Sequence, residues 1–330
     1  MPKTVVITGA SAGLGRATAH AFADRGDRVV LLARGEKGLA GAAGEVRARG
    51  GQALEIVCDV SDAAAVEAAS VRAEAELGPI DVWVNNAMVG SVSRFLDMEA
   101  DEFQRITDVT YIGVVNGTRA ALRRMVPRAA GVVVQVGSSL AYRGIPLQSG
   151  YCGSKHAIQG FTESVRCELL HDGSPVHLTM VQMPALNTPQ FSQVRNRMPK
   201  HPMPVPPIYE PEVGADAIVW ASEHKRREVW VGASTPMVIV GNTLVPTAGD
   251  HFLAVTGVDG QMSELEPDGG PDYLFAPRDQ DMGTRGLFSD QAKTSSRQLA
   301  VTKVVPDWAA GMLSAAAGHA FGTLQKRLGG

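Results

Sequence analysis

The stretch KTVVITGASAGLGR, residues 3–16, joins a short apolar run to a glycine-rich turn and the start of a helical pattern. Glycine lets the backbone approach a phosphate closely, and a helix N-terminus supplies free N–H groups and the positive end of a dipole. The spacing differs from the usual GxGxxG of dinucleotide sites. Its position between a strand and a helix nevertheless predicts a phosphate-binding turn with glycines at 9, 13 and 15.

Apolar runs alternate with helical patterns from this stretch to about residue 230. Runs such as RVVLLA, GVVVQVG and VHLTMVQM are continuously apolar, which indicates strands buried on both faces. REVWVG near residue 230 is a seventh candidate strand. The alternation predicts an α/β fold, a Rossmann-type doubly wound parallel sheet with helices on both faces.

The composition excludes several classes of protein. A formal charge of −3 over 330 residues, with only short basic clusters, provides no electrostatic footprint for nucleic acid. The three cysteines form no CxxC pair, so we expect no metal site, no disulfide framework and a reducing compartment. No signal peptide and no apolar run of about 18 residues is present, so we expect a cytoplasmic protein without a membrane span.

The pattern changes after Pro184, where a proline-rich excursion begins that ends near residue 211. We expect a catalytic domain over residues 1–256, with a lid or substrate loop at about 185–210. A C-terminal extension, 257–330, follows. Its first part is turn-rich and acidic and predicts an irregular tether. Its end predicts a terminal helix that begins behind Pro306 and docks on its own subunit or on a neighbour.

The end of the second predicted strand bears on the choice of nucleotide. In dinucleotide folds an acidic residue near this point holds the ribose 2′-hydroxyl, whereas an arginine accommodates a 2′-phosphate. Ala33 stands at the acidic position and Arg34 follows it. An arginine fork suits a phosphate, so the sequence favours NADP(H) over NAD(H).

Several motifs in register resemble the short-chain dehydrogenase/reductase family over about residues 3–250. TGASAGLG resembles the family's TGxxxGxG, CDV at 58–60 its adenine-contacting turn, and NNA at 85–87 its NNAG. Ser138 stands thirteen residues before Tyr151, and YCGSK at 151–155 resembles YxxxK. The resemblance implies a nicotinamide-binding site formed by Gly9, Ser11, Gly13, Leu14, Gly15, Arg34, Asp59, Val60, Asn86, Ala87, Tyr151, Lys155, Pro184 and Thr188.

The same resemblance implies a catalytic set. Tyr151 would be the acid/base and Lys155 its electrostatic helper, which also bonds the nicotinamide ribose. A phenol has an ordinary pKa near 10, and a neighbouring cation favours the phenolate. Ser138 would donate a hydrogen bond to the substrate oxygen, with Ser139 as the adjacent competitor.

Two positions depart from the family's pattern. Met88 replaces the last glycine of NNAG, and Thr110 stands where many members have an asparagine that holds a relay water. A threonine hydroxyl can also order a water, so Thr110 is carried as a fourth catalytic candidate.

These observations together predict an NADP(H)-dependent oxidoreductase acting on a ketone or secondary alcohol. The expected pocket walls are mostly apolar, which favours a hydrophobic small molecule, and the family implies a homodimer or homotetramer. The alternative is a non-catalytic NADP(H)-binding sensor, which would be marked by a degenerate catalytic set. The expected wall residues are Leu140, Tyr142, Ile145, Met183, Phe191, Met198 and Met203.

Overall fold

The structure is a computed structural model that describes residues 1–267, 269–278 and 280–305. The terminal helix expected behind Pro306 lies outside the described residues.

The described residues form short strands and longer helices in alternation over most of the chain. The strands are β1 Thr4–Thr8, β2 Arg28–Ala33, β3 Gln52–Val57, β4 Ile80–Asn85, β5 Ser91–Val92, β6 Val132–Ser138, β7 His177–Met183, β8 Ala185–Leu186, β9 Arg195–Asn196, β10 Ile208–Tyr209 and β11 Glu228–Trp230. The helices are α1 Gly13–Ala23, α2 Glu36–Ala48, α3 Ala63–Leu77, α4 Ala100–Thr107, α5 Gly113–Met125, α6 Ser149–His171, α7 Pro211–Ala221, α8 Ser234–Leu244, α9 Pro246–Thr256 and α10 Arg297–Val304.

Seven of these strands form one parallel sheet in the order β11-β7-β6-β4-β1-β2-β3. The chain winds outward from β1 to β3 and then returns to build the other half from β4. The fold prediction is therefore confirmed, including the seventh strand near residue 230. The reversal of strand order between β1 and β4 opens a crevice at their carboxyl ends, where such sheets bind ligands.

The central strands of the sheet are buried on both faces because most of their positions are apolar, whereas the edge strand β3 is partly exposed. In β1, Val5 and Ile7 belong to the core layer shared with α1 and α7, whereas Val6 belongs to the opposite layer. Strand β4 repeats this division, with Trp83 in the second layer. Period-2 side-chain alternation thus lets one continuously apolar run pack helices on two sides.

The glycine turn joins β1 to α1 by a close approach of backbone to backbone. Gly9 has φ +66°, and a Cβ on Gly15 would lie 2.2 Å from the Gly9 carbonyl oxygen. The Asn86 side chain fills the remaining space and donates to the Thr8 carbonyl at 2.9 Å. The turn and the loop after β4 are therefore built as one unit.

The excursion after Pro184 is held to the domain by two short strand pairs. Strand β8 pairs with β10, and β9 pairs with β5. Helices α8 and α9, which the sequence analysis did not anticipate, follow β11. Arg143 holds them by hydrogen bonds to Asn242 Oδ1 and to Asp250 Oδ1.

The described part of the C-terminal extension is irregular but packed on the domain. Gly283 accepts a hydrogen bond from the Gly13 amide at 3.0 Å, and Asp281 pairs with Arg16. The chain then reaches α10, whose Leu299 is buried in the core layer of α1 and α7. The extension therefore crosses the sheet's carboxyl edge before it returns to the body.

We expect Gly15→Ala to lower the free energy of unfolding by about 2 kcal/mol or more, because the added methyl group meets the Gly9 carbonyl. The matched control is Gly44→Ala in α2, where an added Cβ meets no heavy atom within 4 Å. Helix propensity there favours alanine by about 1 kcal/mol at most. Urea denaturation of both variants measures the difference, and equal effects would contradict the close-approach argument.

Candidate active site

One cavity of about 870 Å³ lies over the crevice between β1 and β4. It collects residues from the glycine turn, from the ends of β2, β4, β6 and β7, and from α6. Every predicted cofactor-binding residue except Gly15 lines it, and so do the three main catalytic candidates. Residues that are more than a hundred positions apart in sequence are thus brought to one site.

Ser138 and Tyr151 meet at the centre of this cavity. Ser138 is the last residue of β6, and its Oγ accepts a hydrogen bond from the Leu140 amide at 3.1 Å. That bond turns the serine hydroxyl proton toward other acceptors, and Ser138 hydrogen-bonds the Tyr151 phenol. Ser139 also lines the cavity, but the bond to the phenol is made by Ser138.

Lys155 lies one helical turn beyond Tyr151 on α6, with its Nζ 5.5 Å from the centroid of the phenol ring. Its ammonium donates to the Val136 carbonyl at 2.6 Å and is buried. Burial lowers the pKa of Lys155 to about 8. The Lys155 side chain is thus mostly charged at neutral pH and loses its proton just above it.

Tyr151 differs from the simple expectation of an acidified phenol. Burial raises the pKa of Tyr151 above its ordinary range, and the hydrogen bond from Ser138 offsets this in part. Desolvation of the phenolate outweighs the stabilising neighbours because protein surrounds much of the half-buried side chain. The phenol is therefore protonated at neutral pH.

Thr110 is engaged elsewhere. It lies in a π-helical segment, Asp108–Ile112, and its Oγ1 donates to the Val89 carbonyl at 2.9 Å while accepting from the Val89 amide at 3.1 Å. It is fully buried and is not among the residues that line the cavity. These contacts fix the loop after β4. The Thr110 hydroxyl therefore does not face the cavity in which proton transfer is proposed.

Arg34 follows β2 and Asp59 lies just after β3, and both side chains already have partners. The Arg34 guanidinium donates to the backbone carbonyls of Tyr273, Leu274 and Phe275. Asp59 is paired with Arg105, and this pairing lowers the pKa of the Asp59 carboxyl.

The sequence analysis missed two groups of cavity residues. One comes from α8 and α9, and the other from the extension, which was expected to be a tether. The sequence signal for the residues of the extension was the apolar segment YLFAP, residues 273–277, within an acidic, turn-rich stretch. The missed residues include Met237, Val238, Asn242, Phe252, Leu253, Tyr273, Pro277, Arg278 and Gln280.

Two expected wall residues lie elsewhere. The Tyr142 hydroxyl donates to Glu228 Oε1 at 2.7 Å, and Met198 sits on the excursion away from the cavity. The other five, Leu140, Ile145, Met183, Phe191 and Met203, do line it.

A family model described as short chain dehydrogenase matches residues 3–199. The chain belongs to the short-chain dehydrogenase family. This match spans the glycine turn, the loop after β4 and the Ser138–Tyr151–Lys155 set. The protein is accordingly an oxidoreductase of this family.

The relatives agree with this assignment. An uncharacterised oxidoreductase of Bacillus subtilis, YxnA, is 33% identical over 253 residues, covering 76% of this chain and 71% of the relative. A ketoacyl reductase of Nostoc, HetN, is 31% identical, covering 78% and 90%. The probable oxidoreductase EphD of Mycobacterium tuberculosis is 45% identical over 178 residues, which is 54% of this chain and 30% of the relative.

Among solved structures, an alcohol dehydrogenase of the archaeon Thermococcus sibiricus complexed with 5-hydroxy-NADP superposes with a TM-score of 0.61. Its sequence is 26% identical, and the match covers 70% of this chain and 96% of that one.

Within residues 1–267, 269–278 and 280–305, no helix is long and apolar enough to cross a membrane. No group of three histidine, cysteine or acidic side chains in the same residues is arranged to hold a metal ion.

We expect Thr110→Val to lower the free energy of unfolding by about 1–3 kcal/mol, because both backbone groups of Val89 lose their buried partner. Thr107→Val on the neighbouring, more exposed position should change it by less than about 0.5 kcal/mol. Thermal or urea unfolding measures this difference. A large loss of turnover at unchanged stability would instead place Thr110 in proton transfer.

Proposed function

We propose that the protein is an NADP(H)-dependent oxidoreductase that interconverts a hydrophobic ketone and the matching secondary alcohol. The observation that carries the proposal is the meeting of Ser138, Tyr151 and Lys155 in a cavity continuous with the glycine turn and Arg34. A non-catalytic sensor has no need of this complete set, so we favour turnover.

The residues of the groove fit a nicotinamide dinucleotide. Helix α1 follows its N-cap residue Ala12 without a side-chain cap and without an acidic residue in its first turn, so the positive end of its dipole suits a phosphate. The Gly13 amide at that end bonds the Gly283 carbonyl, which a phosphate would have to replace. Arg34 supplies a guanidinium, and Ala33 beside it brings no competing carboxylate. The archaeal alcohol dehydrogenase solved with 5-hydroxy-NADP supports the same cofactor class.

Each part of the groove would hold one part of this cofactor. The turn from Gly9 to Gly15 would hold the diphosphate, and Asp59 with Val60 the adenine. Asn86 and Ala87 would face the nicotinamide half together with Lys155, and Pro184 and Thr188 would lie against the nicotinamide. When bound, the nicotinamide supplies or accepts the hydride.

The protein's own residues handle the proton. Ser138 donates a hydrogen bond to the substrate oxygen and so orients the carbonyl. Tyr151, protonated because of its burial, transfers its phenolic proton to that oxygen during reduction. The Lys155 ammonium stabilises the phenolate left behind, and in alcohol oxidation the same groups act in reverse.

The far half of the cavity supports a hydrophobic substrate. Its cationic member Arg143 is neutralised by Asp250, and its amides Gln148 and Gln261 bond each other at 2.7 Å. Met237 and Phe252 line the cavity and remain 69% and 65% exposed, which makes an apolar mouth. A charged sugar or phosphoester would find few partners here. We retain a homodimer or homotetramer as part of the proposal, by analogy with the family.

Tyr151→Phe should lower kcat for ketone reduction by about 10²–10⁴-fold while NADPH affinity changes little, because only the transferred proton is lost. A panel of apolar ketones with NADPH, read at the nicotinamide absorbance, provides the substrate and the rates. Titration of NADPH provides the affinity. Near-normal reduction by the variant would refute the acid/base role.

The pH profile should report Lys155. Below pH 8 the ammonium is charged and stabilises the phenolate, and as pH rises through about 8 this charge is lost. We therefore expect kcat/KM for reduction to fall above about pH 8. Lys155→Met should be slow and lack this limb, and a wild-type profile that is flat to pH 10 would contradict the assignment.

Arg34→Ala should shift cofactor preference. Loss of the guanidinium removes a charge-assisted contact to the 2′-phosphate, so the ratio of NADPH to NADH affinity should fall about 10–100-fold. Isothermal titration of both nucleotides measures the ratio. Equal losses for the two would show that Arg34 does not bind the 2′-phosphate.

A further inference from the structure

The strap, residues 271–278 with the sequence PDYLFAPR, contributes Tyr273, Pro277 and Arg278 to the wall of the cavity assigned to the nucleotide. Leu274 is fully buried and Tyr273 is 9% exposed, although both belong to an irregular extension. Two large side chains of an otherwise exposed, irregular segment become buried only where the domain provides a cleft that accommodates them.

That cleft begins at the adenosine end of the groove, beside Arg34, and reaches the loop after β4 at Met88. Tyr273 and Leu274 belong to the same buried cluster as Val60, Val89 and Val109, and Val60 is a proposed adenine contact. Tyr273 also donates its amide to the Gln193 carbonyl at 3.0 Å. The strap therefore crosses from the excursion to the end of β2, over the carboxyl ends of the sheet strands.

The strap's backbone carbonyls bind Arg34, the cation proposed to contact the 2′-phosphate. The three consecutive carbonyls of residues 273–275 accept from the Arg34 guanidinium. Arg105, which pairs with Asp59, also donates its Nε to the Leu274 carbonyl at 3.2 Å. Arg34 and Arg105, the two cations of the adenosine end, are thus both bonded to the backbone of residues 273–275.

The Tyr273 side chain also accounts for a departure from the family pattern. Its hydroxyl lies 3.9 Å from the Met88 sulfur and hydrogen-bonds the Gly90 backbone. Glycine at position 88 would leave this contact unmade. Met88 and Tyr273 therefore fit each other rather than the general family loop.

Gly269 before the strap and Gly283 after it have positive φ, and an added Cβ at either would meet no heavy atom within 4 Å. Although the Gly283 carbonyl holds the Gly13 amide, the strap between these glycines carries no regular secondary structure. Its fastenings at the edges are polar, such as the pair between Asp272 and Arg195. Such contacts exchange readily with water and are weak when partly exposed.

We propose that the strap is an autoinhibitory occupant of the adenosine end, and that nucleotide binding expels Tyr273 and Leu274 while Arg34 passes from their carbonyls to the 2′-phosphate. This rests on the proposed function, since it assigns that end to the nucleotide. A dianionic phosphate competes for a guanidinium far better than neutral carbonyls do.

Arg34 then acts in two opposing ways. It binds the 2′-phosphate, and it also holds the strap closed. A nucleotide without a 2′-phosphate meets only the second effect. Removing the guanidinium should consequently strengthen NADH binding in the full-length protein, an outcome that a simple phosphate ligand does not produce.

The first test compares nucleotide affinities by isothermal titration in full-length variants. The double variant Tyr273→Ala, Leu274→Ala should bind NADPH, NADH and adenosine 2′,5′-bisphosphate about tenfold or more tightly than the wild type, because the competing side chains are gone. The matched control is Leu287→Ala, an exposed leucine of the same extension. It should change nothing. Unchanged or weaker binding by the double variant would overturn the proposal.

The second test uses Arg34→Ala. Its NADH affinity should rise several-fold over the wild type, and this rise should vanish when Arg34→Ala is introduced into the double variant. A fall in NADH affinity, or a rise that persists in the double variant, would show that Arg34 does not act through the strap.

Hydrogen–deuterium exchange on the wild-type protein needs no substitution. Saturating NADPH should speed exchange of the amides of residues 272–276. Slower exchange would mean that the strap closes over the nucleotide and would refute the proposal. If neither nucleotide bound any variant, the proposed function itself would fail; if both bound all variants equally, only the strap proposal would fail.

Discussion

The whole site depends on how closely the glycine turn approaches the loop after β4. Gly9 and Gly15 leave no room for a side chain, and the Asn86 amide fills the residual gap with bonds to the Thr8 and Gly9 carbonyls. The Thr8 hydroxyl in turn receives the amides of Asn86 and Ala87. This contact joins the two halves of the sheet at the point where strand order reverses.

The second constraint is the burial of charge beside a phenol. Lys155 is surrounded by protein, and its ammonium has the Val136 carbonyl as a fixed partner. Burial disfavours both the phenolate of Tyr151 and the ammonium of Lys155. It therefore raises the pKa of Tyr151 and lowers the pKa of Lys155. In the proposed reaction the neutral phenol gives its proton to the substrate, and the Lys155 ammonium, charged below about pH 8, lies beside the phenolate that remains.

The sheet was predictable from sequence because each strand is a continuous apolar run followed by a helix. The Ser138–Tyr151–Lys155 set was predictable because its spacing is local to β6 and α6. Thr110 could not be judged, since its hydrogen bonds go to Val89, twenty-one residues away, through a π-helical segment with no sequence signature. The position of Tyr273 and Leu274 was equally inaccessible. Tertiary contacts, rather than local pattern, decide where an irregular segment lies.

The strap is part of the same polypeptide as the groove that it enters. A tethered competitor has an effective concentration set by chain length and stiffness, not by the amount of protein in solution. Diluting the protein therefore does not weaken the competition by the strap. Every free ligand that binds the adenosine end has its apparent affinity lowered by the same factor. The same factor raises the dissociation constants of nucleotide cofactors, small fragments and affinity resins alike. Weak binding of any of them would therefore reflect the closed fraction of the strap as much as the fit of the ligand.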